Sequence, residues 1–136
     1  MYDGTIFHRV ISGFKGGLQA PAAWKLADQS VHGGLVTGAE QDFQPWAGFT
    51  PADWDAIACR LRINGELVRQ ARGTHPNHDP LCALPWLFAH AAAQGDGLRA
   101  GDLVTTGAWI ALPARPGDRV EVEFDGLAPA VVRIEP

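Results

Sequence analysis

Residues 57–72 read IACRLRINGELVRQAR, in which two short segments flank the pair Asn64-Gly65. Apolar side chains stand at every second position of the first segment: Ile57, Cys59, Leu61 and Ile63. That period is typical of a β-strand with one buried face. An Asn-Gly pair accepts the positive φ angles of a type I′ turn, so the stretch predicts a β-hairpin.

The segments around this hairpin predict further strands. Short apolar runs bounded by turn residues occur in four places: VHGGLVTG (31–38), LVTTGAWIAL (103–112), RVEVEF (119–124) and AVVRI (130–134). Each has the length of a strand and is flanked by turn residues. The sequence therefore predicts a β-rich α+β domain.

One main helix is predicted, from Pro80 to about Gln94. Asp79 stands at its cap position, Pro80 suits its first residue and Gly95 follows its end. Pro85 is expected to bend its first turns. A single further helical turn is predicted from a cap, a proline and an acid: Thr50, Pro51 and Asp53.

Composition limits the class of protein. The 136 residues fit one domain, and 46% of them are hydrophobic, enough to form a core. A formal charge of -4 with no lysine or arginine run argues against a nucleic-acid partner or an anionic membrane surface. No apolar run approaches the ~18 residues of a membrane span and no leader is recognisable, so a cytoplasmic protein is expected.

Cys59 and Cys82 are expected to be two buried thiols.

The first residues form a distinct motif. Residues 2–14, YDGTIFHRVISGF, resemble the cyclophilin family of peptidyl-prolyl isomerases. The resemblance implies that Arg9 is a catalytic arginine and that Phe14 belongs to a proline pocket. The family pattern stops at Lys15, and the strands of a closed eight-stranded barrel are not predicted downstream. We therefore interpret residues 1–17 as a cyclophilin-like segment and residues 18–23 as a junction.

A second resemblance covers about residues 24–134. Its motifs are WKLADQSVHGGLVTG (24–38), DPLCALPWLFAH (79–90) and LRAGDLVTTGAWIALPARPGDRVEVEFDGL (98–127). They resemble the second half of the fumarylacetoacetate hydrolase superfamily, in its 2-keto-4-pentenoate hydratase and oxalocrotonate decarboxylase branch. The most specific part is an ordered series: Gly101-Asp102, Thr105-Thr106-Gly107, Pro116-Gly117-Asp118 and Gly126-Leu127. The resemblance implies an incomplete, curved mixed sheet within residues 24–136.

The resemblance also implies a function. It indicates a metal-dependent lyase that hydrates 2-hydroxydienoates or decarboxylates related 2-oxo acids in aromatic catabolism. In the family Mg²⁺ or Mn²⁺ is held by a Glu-x-Glu pair and a third acid upstream of the matched segment. No Glu-x-Glu pair precedes Trp24 here, so the chain is expected to be truncated, and to be inactive and metal-free alone. The expected partners are a small 2-oxo acid and other copies of the chain, joined through exposed sheet edges.

Candidate site residues follow from the same resemblance. Lys25 and His32 are the catalytic candidates, because a lysine can face a carboxylate and a histidine can hydrogen-bond the substrate. A threonine hydroxyl and an exposed backbone amide can hold a carboxylate, and a missing side chain lets a ligand approach the backbone. The substrate-binding candidates are Ser30, Thr105, Thr106 and Gly107.

Two acidic or histidine-containing clusters have simpler interpretations. Glu121 and Glu123 have the Glu-x-Glu spacing, but they alternate with apolar residues and indicate the solvated face of a strand. His75, His78 and Asp79 lie in one short loop and indicate a turn and a helix cap more than a metal site.

Two alternatives to a lyase remain open at this point: a non-catalytic binding or assembly module, and a prolyl isomerase. A cyclophilin fragment joined to a truncated hydratase, by fusion or by a reading-frame error, accounts for both resemblances.

Overall fold

The structure is a computed structural model, and it describes residues 7–10, 22–23 and 34–135. Its helices and strands follow in chain order: β1 (Phe7–Val10), β2 (Gly34–Thr37), a 3-10 helix (Gln44–Trp46), α1 (Pro51–Ala56), β3 (Ala58–Ile63), β4 (Glu66–Arg72), α2 (Leu84–Gln94), β5 (Arg119–Phe124) and β6 (Ala130–Arg133). The predicted β-rich α+β class with one main helix is confirmed. No helix within the described ranges has the length and apolar character needed to cross a membrane.

The main sheet has four strands in the order β4-β3-β5-β6. Each neighbouring pair in it is antiparallel, and Cys59 lies opposite Phe124 where β3 pairs with β5. β1 and β2 form a separate antiparallel pair. The mixed sheet expected from the resemblance would need a parallel pair, and none occurs among the strands that the structure describes.

The hairpin forms as predicted. Asn64 has a φ of 53° and Gly65 a φ of 87°, the left-handed values that a type I′ turn requires. The Asn64 side chain also reaches a second turn: its Nδ2 donates to Asp118 Oδ1 at 2.8 Å, and its Oδ1 accepts from the Arg119 backbone N–H at 2.9 Å. The Asn-Gly and Pro-Gly-Asp turns, predicted separately, are therefore hydrogen-bonded to each other.

A small core lies around β3. The buried residues include Trp54, Ile57, Ala58, Cys59, Leu61, His75 and Ala130. Burial raises the pKa of the Cys59 thiol to about 12, so this cysteine remains a neutral thiol at physiological pH. The prediction of two buried thiols is correct for Cys59 and wrong for Cys82, which is exposed.

The short helix α1 begins as predicted. The Thr50 hydroxyl accepts from the Asp53 backbone N–H at 3.4 Å, and the Asp53 carboxylate accepts from the Thr50 backbone N–H at 2.8 Å. This reciprocal capping box satisfies donors that a helix N-terminus otherwise leaves unpaired.

The main helix starts later than predicted. α2 begins at Leu84 with Ala83 at the cap position, and Pro85 belongs to its first turn. Asp79 does not cap α2, because its carboxylate accepts from the Leu81 backbone N–H at 2.8 Å within a preceding turn. Proline is tolerated in the first turn because its missing N–H has no intrahelical partner there. The predicted end is confirmed, with Gly95 at the C-cap.

Residues 103–112 do not form the predicted strand. Their backbone carbonyls accept from side chains instead: Thr74 Oγ1 donates to the Trp109 carbonyl at 2.7 Å. Strand propensity therefore did not decide this segment, because a strand also needs a partner backbone.

One carboxylate ties the start of β3 to the end of β5. Asp125 accepts from the Ala58 backbone N–H at 3.0 Å and from Arg60 at 2.7 Å, and Arg72 lies 3.8 Å away. The hydrogen bond from Ala58, followed by that from Arg60, lowers the pKa of Asp125 from its usual value. The charged form is therefore the one that stabilises the sheet.

We expect Asp125→Asn to lower the free energy of unfolding at pH 7 by about 1–2 kcal/mol, since hydrogen bonds to charged groups are stronger than neutral ones. Because the folded pKa is lowered, the contribution of Asp125 is complete above about pH 4 and disappears as the pH falls through the folded pKa. Denaturant unfolding at pH 7 and at about pH 3 measures both effects. The difference between variant and wild type should shrink at the lower pH.

Asp96→Asn is the control, because Asp96 is 83% exposed in its ion pair with Arg99. Exposed pairs contribute little, so this change should stay within about 0.5 kcal/mol. Equal effects of the two substitutions would contradict the role given to Asp125.

Candidate functional site

The structure describes half of the predicted site residues. Thr105, Thr106 and Gly107 lie in the irregular segment of residues 102–111, named here the 102–111 loop. Lys25, Ser30 and His32 lie outside the described residues, so the structure does not test whether they approach this loop. These assignments stay predictions.

The cyclophilin-like segment is described only in its strand. Arg9 lies on β1, opposite Leu35 of β2, and Phe14 lies outside the described residues. β1 thus pairs with a strand of the segment that resembles the hydrolase superfamily.

The 102–111 loop is held by the loop that follows β4. His75 Nε2 lies 3.0 Å from the Thr106 carbonyl oxygen, and the neighbouring Thr74 hydroxyl binds the Trp109 carbonyl. These two contacts join segments that are more than 30 residues apart in the sequence. They replace the strand pairing that the sequence predicted for this segment.

His75 is buried, with 2% of its surface exposed. Its Nδ1 accepts from the Asn77 backbone N–H at 3.2 Å. Since Nδ1 is an acceptor, the ring proton is on Nε2, which donates to the Thr106 carbonyl. Both ring nitrogens of a neutral histidine are therefore occupied, as expected for a buried polar side chain.

Gly107 lies directly against this ring. Its φ is 137°, in the region that favours glycine, and a Cβ placed there would lie 2.8 Å from His75 Nε2. The sequence predicts that the missing side chain makes room for a ligand. In the structure the space beside the Gly107 Cα is filled by His75, while Gly107 itself remains exposed.

Aromatic rings connect the loop to the sheet. The Trp109 ring centroid lies 6.1 Å from that of His75 and 5.2 Å from that of Phe124, on which it packs edge-on. Phe124 is the last residue of β5. The loop is therefore placed against the end of β5 where Cys59 and Asp125 also lie.

The residues of the HPNHDP segment do not form a common metal site. His75 binds the Thr106 carbonyl, His78 Nδ1 lies 2.9 Å from the Asp55 carboxylate, and Asp79 caps a local turn. Within the described residues, no group of three histidine, cysteine or acidic side chains is suited to hold a metal ion. The described residues thus do not fit the divalent cation that the resemblance implies.

The two glutamates of β5 have arginine partners. Glu121 accepts from Arg119 at 2.7 Å, and Glu123 lies 3.7 Å from Arg60. The predicted half-buried strand is correct, and both glutamates are themselves only partly exposed. Ion pairing within the sheet explains this acidic pair.

Comparison with known proteins identifies the family of the chain. Residues 20–135 match the family model described as fumarylacetoacetate (FAA) hydrolase C-terminal. The chain belongs to this family. The match includes the whole 102–111 loop and the segment that carries His75, so the site described above lies within the FAA hydrolase C-terminal domain.

Two curated relatives of this FAA hydrolase C-terminal domain are named as a hydratase and a decarboxylase. 2-Keto-4-pentenoate hydratase 1 of Dechloromonas aromatica (strain RCB) is 32% identical over 103 residues, which cover 75% of this chain and 37% of the relative. 4-Oxalocrotonate decarboxylase of Pseudomonas sp. (strain CF600) is 26% identical over 109 residues, or 79% of this chain and 39% of the relative. The chain spans less than two fifths of either relative.

His75 is the residue that the sequence interpretation missed. The sequence groups His75 only with His78 and Asp79, whereas its contact with Thr106 joins distant segments. The one signal available was the position of a histidine between the hairpin and the helix, which by itself indicates no partner.

We expect Gly107→Ala to destabilise the FAA hydrolase C-terminal domain by about 1–3 kcal/mol, because a side chain adds strain at a positive φ and meets the His75 ring. Thermal unfolding followed by circular dichroism measures the change.

Gly101→Ala is the matched control. Gly101 also has a positive φ, 95°, but no atom lies within 4 Å of a Cβ placed there. The control therefore carries backbone strain without the steric contact and should cost less. A Gly107→Ala variant that melts at or above the temperature of Gly101→Ala would show that the His75 contact is unimportant.

Proposed function

We propose that this domain supplies the small-acid binding part of a lyase site that hydrates or decarboxylates 2-oxo acids in aromatic catabolism. The observation that carries the proposal is the anchored Thr106–Gly107 segment, which lies within the residues matched to the FAA hydrolase C-terminal family. The names of the two relatives, a 2-keto-4-pentenoate hydratase and a 4-oxalocrotonate decarboxylase, support this substrate class.

The proposed chemistry of this loop is carboxylate binding. The half-buried Thr106 can donate its hydroxyl proton, and the exposed Gly107 can donate its backbone N–H, to the carboxylate of a small acid. Thr105 is exposed beside them and is a further candidate for contact with the acid. An anchored backbone donor needs little reorganisation when a ligand binds, which favours affinity and orientation.

Lys25, His32 and Ser30 complete the proposed site. A lysine would add a positive charge for the second polar end of a 2-oxo acid, and a histidine can move a proton near neutral pH. Their assignment rests on the resemblance of residues 24–38 to the family.

The cation of the proposed lyase needs ligands beyond the described residues. Mg²⁺ and Mn²⁺ prefer several oxygen ligands, and no suitable group of three occurs in the part of the chain that the structure describes. We propose that the acids come from a region corresponding to the remaining length of the relatives, in the same protein or in a partner. The chain alone is then expected to bind the acid without turning it over.

Calorimetric or NMR titration with oxalate, an enolate mimic, tests the proposal. Wild-type chain should bind oxalate saturably without added metal and should not consume 2-keto-4-pentenoate or 4-oxalocrotonate. Thr106→Val should weaken oxalate binding by about tenfold or more, because a hydrogen bond to a charged group is lost. Thr37→Val, an exposed strand position outside the loop, should leave binding unchanged.

Absence of saturable oxalate binding by folded wild-type chain would overturn the proposal. Turnover by the chain alone would instead show that the metal ligands lie within it, and would contradict the expected inactivity.

A second candidate function, an assembly module, is favoured by the surface of α2. None of the residues of α2 is buried, and Trp86 is 66% exposed while its ring stacks on His90 at 4.7 Å. An exposed tryptophan on an apolar helix is typical of a contact surface between proteins.

If α2 joins copies of the chain, Trp86→Ser should shift sedimentation from dimers or larger species toward monomers. Ala89→Ser, an exposed change on the same helix, should have no such effect. A wild-type chain that stays monomeric at concentrations near 1 mM would exclude this role for α2.

A further inference from the structure

We propose that His75 is a positioning residue that sets the orientation of the peptide between Thr106 and Gly107, and so directs the Gly107 N–H toward the carboxylate of a small acid. The inference rests on the proposed function for its ligand. Its structural part rests on the contacts of His75 alone.

The first step concerns the histidine ring. Its Nδ1 accepts from the Asn77 backbone N–H, which leaves the proton on Nε2 for the Thr106 carbonyl at 3.0 Å. A ring held at both nitrogens cannot rotate without leaving a buried polar group unpaired, which is unfavourable. His75 is 2% exposed, so water does not replace the lost partner.

The second step concerns the peptide unit. In a trans peptide the C=O and the N–H point in opposite directions within one plane. The Thr106 carbonyl and the Gly107 N–H belong to the same unit. Since His75 holds the carbonyl, the N–H of Gly107 points away from the buried ring.

The third step concerns the close approach of Gly107. A Cβ at this residue would lie 2.8 Å from Nε2 and 3.5 Å from Cδ2 of the His75 ring. Only glycine lets the backbone lie this close to the ring while keeping its φ of 137°. The position of the His75 ring therefore requires glycine at residue 107. The ring contacts one side of the peptide between Thr106 and Gly107, and the Gly107 N–H lies on the other side.

The expected ligand is a small carboxylate, because the group directed outward is a hydrogen-bond donor and Thr106 adds a hydroxyl. A fixed N–H beside a hydroxyl suits two carboxylate oxygens.

The test uses two variants that separate the two ring nitrogens. His75→Gln places an amide donor near the position of Nε2 and can still bind the Thr106 carbonyl. His75→Asn is shorter, reaches only the position of Nδ1 and loses that contact. Both remove the ring, and because Asn also fills less space than Gln, the position of the ring proton in wild type is the readout that a merely space-filling role would not require.

Backbone ¹⁵N relaxation of the labelled chain gives the first readout. Order parameters at Gly107 and Ala108 should be near 0.85 in wild type and in His75→Gln, and should fall below about 0.6 in His75→Asn. Leu61 in β3 should remain rigid in all three, which separates local loosening from unfolding. Equal order parameters at Gly107 in both variants would overturn the inference.

The histidine signals of wild type give a readout that needs no variant. Long-range ¹H–¹⁵N spectra should show the proton of His75 on Nε2. A proton on Nδ1 would overturn the inference even if both variants failed to fold.

Oxalate titration tests whether the peptide orientation set by His75 affects ligand binding. His75→Gln should bind within about threefold of wild type, and His75→Asn about tenfold more weakly. If wild type binds no oxalate, the proposed function fails, and the relaxation data still decide whether His75 orients the peptide. If both variants bind oxalate like wild type, the orientation set by His75 does not serve the ligand, and the inference fails while the proposed function stands.

Discussion

The central strand β3 is hydrogen-bonded along both of its edges, and the main sheet depends on this double pairing. β4 joins one edge through the Asn64-Gly65 turn, and β5 joins the other after a connection of more than 50 residues. Local pairing costs little chain entropy, whereas the distant pairing must be stabilised by additional contacts. Asn64 and Asp125 provide them at opposite ends of β3 and β5, through Asp118 and Arg119 at one end and through Ala58 and Arg60 at the other.

The long connection between β4 and β5 is organised by side chains where a strand ladder is lacking. Thr74 and His75 lie just after the end of β4, and their side chains bind the carbonyls of Trp109 and Thr106, respectively. Trp109 then packs on Phe124 at the end of β5. The contacts that order this connection therefore also place Thr106 and Gly107 beside the sheet. The position of the proposed binding loop thus depends on the tertiary packing of the domain.

Family membership and site geometry support different parts of the functional proposal. The FAA hydrolase C-terminal match covers residues 20–135, which include all the turn motifs named above. It does not by itself say what Gly107 contacts. The contact with His75 explains the glycine without a ligand, and it also leaves the N–H of Gly107 directed outward. The two roles are compatible because the ring and the proposed ligand lie on opposite sides of one peptide.

Local elements were predictable from local chemistry. The alternation of residues 57–63, the Asn-Gly turn and the capping box of Thr50 and Asp53 each involve residues a few positions apart, so the sequence alone specifies them. The start of α2 was not predictable in this way, because Asp79 could cap either the helix or a preceding turn, and the structure places it in the turn. The burial of Cys59 and the exposure of Cys82 likewise depend on which face meets the core.

Distant contacts decided the remainder. Strand propensity favoured a strand at residues 103–112, but a strand requires a partner, and side chains from the end of β4 took that place. The Thr106–Gly107 motif could be recognised from the sequence, while its contact with His75 could not, since nothing in a linear pattern indicates which of five histidines reaches a carbonyl 31 residues away. Short-range hydrogen bonds and periodicity are determined by residues close together in the sequence. The pairing of a buried donor with a remote acceptor is settled only when the chain packs and every buried polar group must find a partner.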